Sequence, residues 1–188
     1  EFLSAQQQVR AARAAQICAK LEKILKVDPW PQVLSSADGR AEGVTRAHIA
    51  NWLLQNNKVA KLQQAFDRYL KEGKPAFVPL SWAELPDVIQ VIHASGAQAV
   101  LAHPTKYDVS ATHLRYLVGL FKSLGGDAIE LAPANDPPAT RAMIDYLVNQ
   151  HDLAVSVASD FHGEHMPWLK LGQVPAVKTG QRGVWESF

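Results

Sequence analysis

Cysteine is almost missing from this 188-residue sequence: Cys18 stands alone. That excludes an internal disulfide and a cysteine metal cluster, and it fits a reducing compartment, read here as cytoplasm. Net charge is nearly absent too. Nineteen Lys and Arg oppose 18 Asp and Glu, a formal +1, so no uniform field draws the chain to nucleic acid or anionic lipid, and any anion binding has to be local. No apolar run approaches the roughly 20 residues of a membrane-spanning helix, so no membrane partner is expected. The opening Glu1-Phe2-Leu3-Ser4 carries neither a basic-then-apolar signal nor an initiator Met, and the expectation is a processed product or a piece of something longer. GxSxG, a Walker lysine loop and GxGxxG are all missing. Serine-nucleophile, nucleoside-triphosphatase and dinucleotide readings therefore lack their usual supports.

What is present is the composition of a globular protein, 47% hydrophobic and 20% charged. Residues 1–26 contain no Gly or Pro, and Leu3, Val9, Ile17, Leu21, Ile24 and Leu25 recur at helical spacing. A long helix is predicted, ended by Asp28-Pro29-Trp30-Pro31. A short helical piece near Val33–Ala37 follows, then a helix capped by Thr45 and running to about Asn56, and another over about Lys61–Leu70. Beyond residue 75 the pattern changes to helices alternating with short apolar strands. Ser81 and Glu84 read as a capping box. The predicted order is then strand Ala97–Ala102, helix Ser110–Leu124, strand Asp127–Ala132, helix Pro138–Gln150 and strand Leu153–Ala158. Such alternation indicates parallel βα units, a sheet covered on both faces or closed into a barrel. The tail from Met166 is read as irregular wrapping anchored by Trp168, Leu169, Leu171 and Trp185.

Polar residues fall at informative places in this pattern. His103 follows the first strand directly, and Asp160 and His162 follow the third. Ligands of parallel α/β folds bind at the carboxyl ends of strands. In extended backbone, Asp160 and His162 point the same way while Phe161 turns inward, and such oxygen and nitrogen donors suit Zn, Mn or Fe(II). An ordinary loop cap explains the same triplet. Glu130, ending the middle strand, either joins that rim or pairs with a neighbouring loop. His93, His113 and His151 read as surface or helix-capping residues, His165 as lining the site or merely exposed, and Cys18 as a buried, inert thiol.

A second cluster, Thr45-Arg46-Ala47-His48, opens a helix, and backbone donors beside a guanidinium and an imidazole suit phosphate. An ordinary cap with two solvated side chains is the simpler reading. Lys74 and Lys106 are further phosphate candidates, whereas Arg10, Arg13, Lys20 and Lys23 read as the wet face of the first helix. The five tryptophans lack basic interleaving, and core packing accounts for them better than base stacking.

Taken together, Ala102-His103-Pro104-Thr105-Lys106-Tyr107, Ser159-Asp160-Phe161-His162-Gly163 and Gly43-Val44-Thr45-Arg46-Ala47-His48-Ile49-Ala50 resemble the PHP (polymerase and histidinol phosphatase) family. The similarity is to its 3′,5′-nucleoside bisphosphate phosphatase and RNase AM branch. It continues through Phe66–Leu70, Gly73-Lys74-Pro75 and Pro167-Trp168 to Trp185, essentially the whole chain. The resemblance implies an α/β fold, the carboxyl-terminal portion of a distorted (β/α)7 barrel with a helical insertion over the active-site mouth. Its expected division is a barrel helix at 1–19, the insertion at 20–75 and βα units at 76–188. It implies up to three divalent metals (manganese, with zinc or iron as alternatives), His103, Asp160 and His162 as catalytic metal ligands, and Arg46, His48 and Lys106 as substrate contacts. Lys106 stands where relatives often have Arg, which keeps the charge and loses the bidentate fork.

The implied activity is removal of the 3′-phosphate from nucleoside 3′,5′-bisphosphates and trimming of short RNA from its 5′ end. The family's amino-terminal His-x-His motif, the Asp after it and the next His and Glu ligands have no counterpart in this sequence. The missing amino-terminal segment is therefore an expected partner, and the 188 residues alone are expected to be inactive and poorly soluble. The reading from a different class is a non-catalytic module, with helical residues 1–75 gripping RNA or protein on a βα scaffold.

Overall fold

The computed structural model describes residues 1–132, 136–161 and 169–187. Two compact units divide the chain, Glu1–Ala83 and Glu84–Phe188. The first is helical. Helix α1 (Phe2–Leu25) ends where Lys26 turns left-handed (φ 57°) and its N–H returns to Glu22 O. Asp28 then accepts the N–H of Trp30 at 2.8 Å, opening α2 (Trp30–Ser35). Helix α3 (Arg46–Gln55) starts at the predicted cap, Thr45. The last predicted helix is split: α4 (Leu62–Ala65) widens into a π-helical turn over Phe66–Leu70. One core holds this unit, with Ile17 and Leu21 of α1 packed among Val33, Ile49, Leu53 and Leu70. Helix α1 lies in the same compact unit as the segments after it, and that unit runs to Ala83. Cys18 is buried in this core. Burial first, and then the charge of Asp28, pushes its thiol pKa up to about 12.

The second unit begins with α5 (Leu85–Ala94). The expected Ser81–Glu84 capping box does not form; Glu84 itself is the N-cap, without a side-chain bond, and Pro86 fits the first turn because it needs no N–H partner there. Strands β1 (Val100–Leu101), β2 (Ala128–Glu130) and β3 (Ala154–Ser156) are parallel in the order β1-β2-β3, with Leu101 opposite Ile129 and Glu130 opposite Ser156. They are linked by α6 (Ala111–Ser123), capped by Ser110, and α7 (Pro138–His151). Every residue of β2 is buried, as a central parallel strand should be. Val118, Phe121, Ile144 and Leu147 complete the core over Ile129 and Val155.

The tail is held differently from expectation. Leu171 is 81% exposed and Trp185 45% exposed, while Trp168 lies outside the described residues. The fastening is polar and backbone-based instead. Val155 N–H donates to Arg182 O at 2.8 Å beside a parallel bridge to Gly183. Asp145 of α7 receives Gln181 Nε2 at 2.7 Å and pairs with Lys178 at 2.6 Å. Among the described residues no helix is long and apolar enough to cross a membrane.

Candidate metal centre

Strand order puts Glu130, His103 and Asp160 at the same edge of the sheet, at or just past the carboxyl ends of β2, β1 and β3. His103 departs from β1 with φ 29° and ψ 53°, a strained backbone for a residue before proline, which is normally extended. Asp160 is likewise left-handed, φ 53°. Such outliers persist only where the surroundings impose them, and they gather at functional sites.

The imidazole of His103 offers the clearest donor position for a metal. Its Nδ1 is buried with no hydrogen-bond partner, a costly arrangement for a nitrogen that either donates or accepts. A divalent cation would fit it, since imidazole nitrogen is an ordinary ligand of Zn, Mn and Fe. The His103 backbone N–H donates to Glu130 Oε2 at 3.2 Å, so Glu130 braces the turn after β1. Edge-on to His103, the Tyr107 ring lies 6.2 Å away at 88°. Tyr107 Oη donates to Ala102 O at 2.9 Å, and burial, then the charge of Glu130, raises its pKa. His103, Glu130 and Tyr107 form one braced corner.

Among the described residues no three His, Cys, Asp or Glu side chains gather closely enough to hold a metal unaided. His162 and His165 lie outside the described residues. Two further histidines make local structural bonds. His113 Nδ1 meets Ser110 Oγ at 2.9 Å at the start of α6, and His93 Nε2 meets Asp127 Oδ2 at 2.8 Å.

Of the phosphate candidates, Lys106 is already committed: its Nζ is 2.6 Å from Asp136 Oδ1, and Thr105 Oγ1 donates to the other oxygen at 3.0 Å. Any phosphate at Lys106 competes with that carboxylate. Among the described residues, Arg46 and His48 line different hollows. Arg46 lines a hollow with Arg10, Arg13 and Trp82, while His48 lines another with Gln32, Asn51 and Gln55. Two residues apart on a helix, side chains diverge by about 200°. The Nδ1 of His48 also closes the α3 capping box, accepting the Thr45 N–H at 3.0 Å, and the neutral ring therefore carries its proton on Nε2. The reading of the first helix's basic residues as a wet face holds for exposed Arg10, Lys20 and Lys23, whereas Arg13 is half-buried. Arg13 Nε donates to Val78 O at 2.9 Å and Arg10 Nη2 to Glu42 O at 3.1 Å. The tryptophans divide as well: Trp52 is buried, but Trp82 is 71% exposed and so is not a core residue. Arginines at 10 and 13, one turn apart and directly followed by buried Ala14 and Ile17, were the available signal for that hollow.

No protein-family model matches the chain, but similar proteins do. It is 40% identical over 188 residues to the 5′-3′ exoribonuclease Rnm of Salmonella typhimurium, matching all of this chain and 63% of that protein. It is 39% identical over 187 residues to a 5′-3′ exoribonuclease of Haemophilus influenzae, 67% of whose length is covered. The chain belongs to the PHP phosphoesterase family. A 3′,5′-nucleoside bisphosphate phosphatase of Chromobacterium violaceum is 29% identical over 179 residues, 95% of this chain and 62% of that one. Among solved structures, an amidohydrolase from the same organism, with bound sulfate and no metal, superposes with a TM-score of 0.83 at 29% identity, over 98% of this chain and 64% of that chain. The chain spans 62 to 67% of the length of the curated relatives it matches. What that solved structure shares with the chain is an α/β fold with a small parallel sheet.

Proposed function

We propose that the protein is a metal-dependent phosphoesterase that removes the 3′-phosphate of nucleoside 3′,5′-bisphosphates and trims short RNA from the 5′ end. The observation that carries this reading is collinearity. Relatives named for these two activities match 95 to 100% of this chain, so the similarity includes the His103, Asp160 and Arg46 segments rather than one of them. Bound divalent metals, manganese in the first instance and up to three, would supply Lewis-acid stabilisation of the phosphoryl oxygens and an activated water. His103, Asp160 and His162 would hold them at the mouth of a distorted (β/α)7 barrel. The unpartnered Nδ1 of His103 suits that role, and Glu130 fixes the backbone from which His103 projects. Arg46 orients a phosphate by its charge, and His48, engaged in its capping box, contributes through Nε2 alone.

The test is phosphate release from adenosine 3′,5′-bisphosphate by the full-length protein with added Mn. Asp160→Ala is expected to lower it by at least about a hundredfold. Undiminished release by that variant overturns the assignment of the site. Release from histidinol phosphate in place of the bisphosphate overturns the substrate. A protein that binds no transition metal and is not activated by Mn is a binding module instead.

A further inference from the structure

The hollow lined by Arg10, Arg13 and Arg46 gathers three guanidinium groups beside an aromatic side chain, Trp82. Its volume is about 250 Å³, slightly below the range of about 300–1,000 Å³ common for small-molecule pockets. Arg10 and Arg13 project from successive turns of α1, and Arg46 from the first residue of α3. Among the described residues none of the three guanidinium groups has a carboxylate partner. Arg10 and Arg13 each use one nitrogen on a backbone carbonyl, which aims the fork and leaves its other donors available. Burial, then the nearby charge of Arg46, depresses the Arg13 pKa. Like charges held together in a partly desolvated hollow are unfavourable unless an anion joins them. The floor is apolar, with Ile17 and Ile49 fully buried beneath it, and Trp82 lies at the rim. Such a mixture suits a ligand with a charged end and a flat, apolar end.

We propose that this hollow binds one nucleotide unit, its phosphate held by Arg10, Arg13 and Arg46 and its base stacked on Trp82. The inference rests on the reading that the substrate is a nucleotide. Guanidinium forks match phosphate oxygens bidentately. Stacking on a tryptophan accepts any base.

The experiment measures binding to the full-length protein in EDTA, so that no catalytic turnover contributes, with three probes: adenosine 5′-monophosphate, ribose 5-phosphate and inorganic phosphate. Arg10→Gln and Arg13→Gln are each expected to weaken all three by about tenfold. Trp82→Ala, at an exposed position, is expected to weaken adenosine 5′-monophosphate by about tenfold and leave ribose 5-phosphate within twofold. Adenosine 5′-monophosphate affinity unchanged in Trp82→Ala overturns the stacking role. Unchanged affinity for all probes in both arginine variants, with wild-type melting curves, overturns the site. If the arginine variants do not fold, loss of the wild-type protein's adenosine 5′-monophosphate binding on Arg46→Gln supports the site and its retention overturns it. Binding that depends on these residues in a protein unable to hydrolyse the bisphosphate upholds the pocket and rejects the catalytic reading; hydrolysis with indifferent binding does the reverse.

Discussion

The backbone N–H of His103 and the side chain of Glu130 meet at 3.2 Å, joining the ends of two neighbouring parallel strands. Glu130 is 7% exposed, and a carboxylate that buried is costly unless it is bonded or faces a cation. One backbone hydrogen bond compensates part of that cost. The negative charge of Glu130 is, after the burial of Tyr107 itself, the second cause of the raised Tyr107 pKa.

Glu130→Gln therefore separates charge from geometry. The amide oxygen retains the bond to His103, and the melting temperature is expected to move by no more than a few degrees. Without the negative charge, the phenol of Tyr107 is expected to ionise at a lower pH than in the parent protein, although burial still holds it above an ordinary tyrosine. Ultraviolet titration, with Tyr107→Phe to identify the signal, checks this. An unmoved Tyr107 transition would show that the charge of Glu130 does not reach the ring.

Gly126 predicts a packing defect. A Cβ placed there would lie 2.2 Å from Cε1 of Phe121, a ring 2% exposed in the core of the second unit. No rotamer of an added methyl avoids that overlap, so Phe121 or the entry to β2 has to shift. Gly126→Ala is expected to cost about 1–3 kcal/mol, the usual penalty of overpacking, read as a lower midpoint in denaturant unfolding. Gly126→Ala with Phe121→Leu should recover part of the loss, and equal stability of Gly126→Ala and the parent would refute the close approach.

Local signals made the frame legible. Thr45 and Ser110 cap α3 and α6 as their sequence positions announce, and a proline opens α7. The strands were legible as apolar runs between helices, though each is shorter than its run because pairing requires a neighbour in register. What escaped depends on residues distant in sequence. Arg13 reads as one more polar position of a helix until Val78 and Arg46 are seen beside it. Lys106 looks available until Asp136, 30 residues on, occupies it. Leu171 looks like an anchor because it is apolar, yet the tail is fastened by Asp145 and backbone bonds. Of the candidate site, the His103 and Asp160 positions followed from strand ends, while the brace by Glu130 needed the order of the sheet.

Asp145 supplies a pH-dependent fastening. Its residue is 7% exposed, and burial by itself would raise the carboxyl pKa. Contacts with Lys178, Arg141 and Gln181 outweigh burial and hold it below the ordinary value. A depressed carboxylate pKa means that the unfolded chain takes up protons before the folded one does. The stabilisation is therefore complete above about pH 4, the unfolded range, and is lost as pH falls through the lower folded value. At neutral pH, Asp145→Asn is expected to destabilise by about 1–3 kcal/mol, between the small worth of an exposed pair and the larger loss when a buried pair is broken, because Arg141, 2.8 Å away and itself largely covered, loses its countercharge. Near pH 3 the gap between variant and parent is expected to narrow. Urea unfolding at the two pH values measures both quantities, and a gap as wide at pH 3 as at pH 7 would show that the three contacts act through shape and hydrogen bonding rather than through charge.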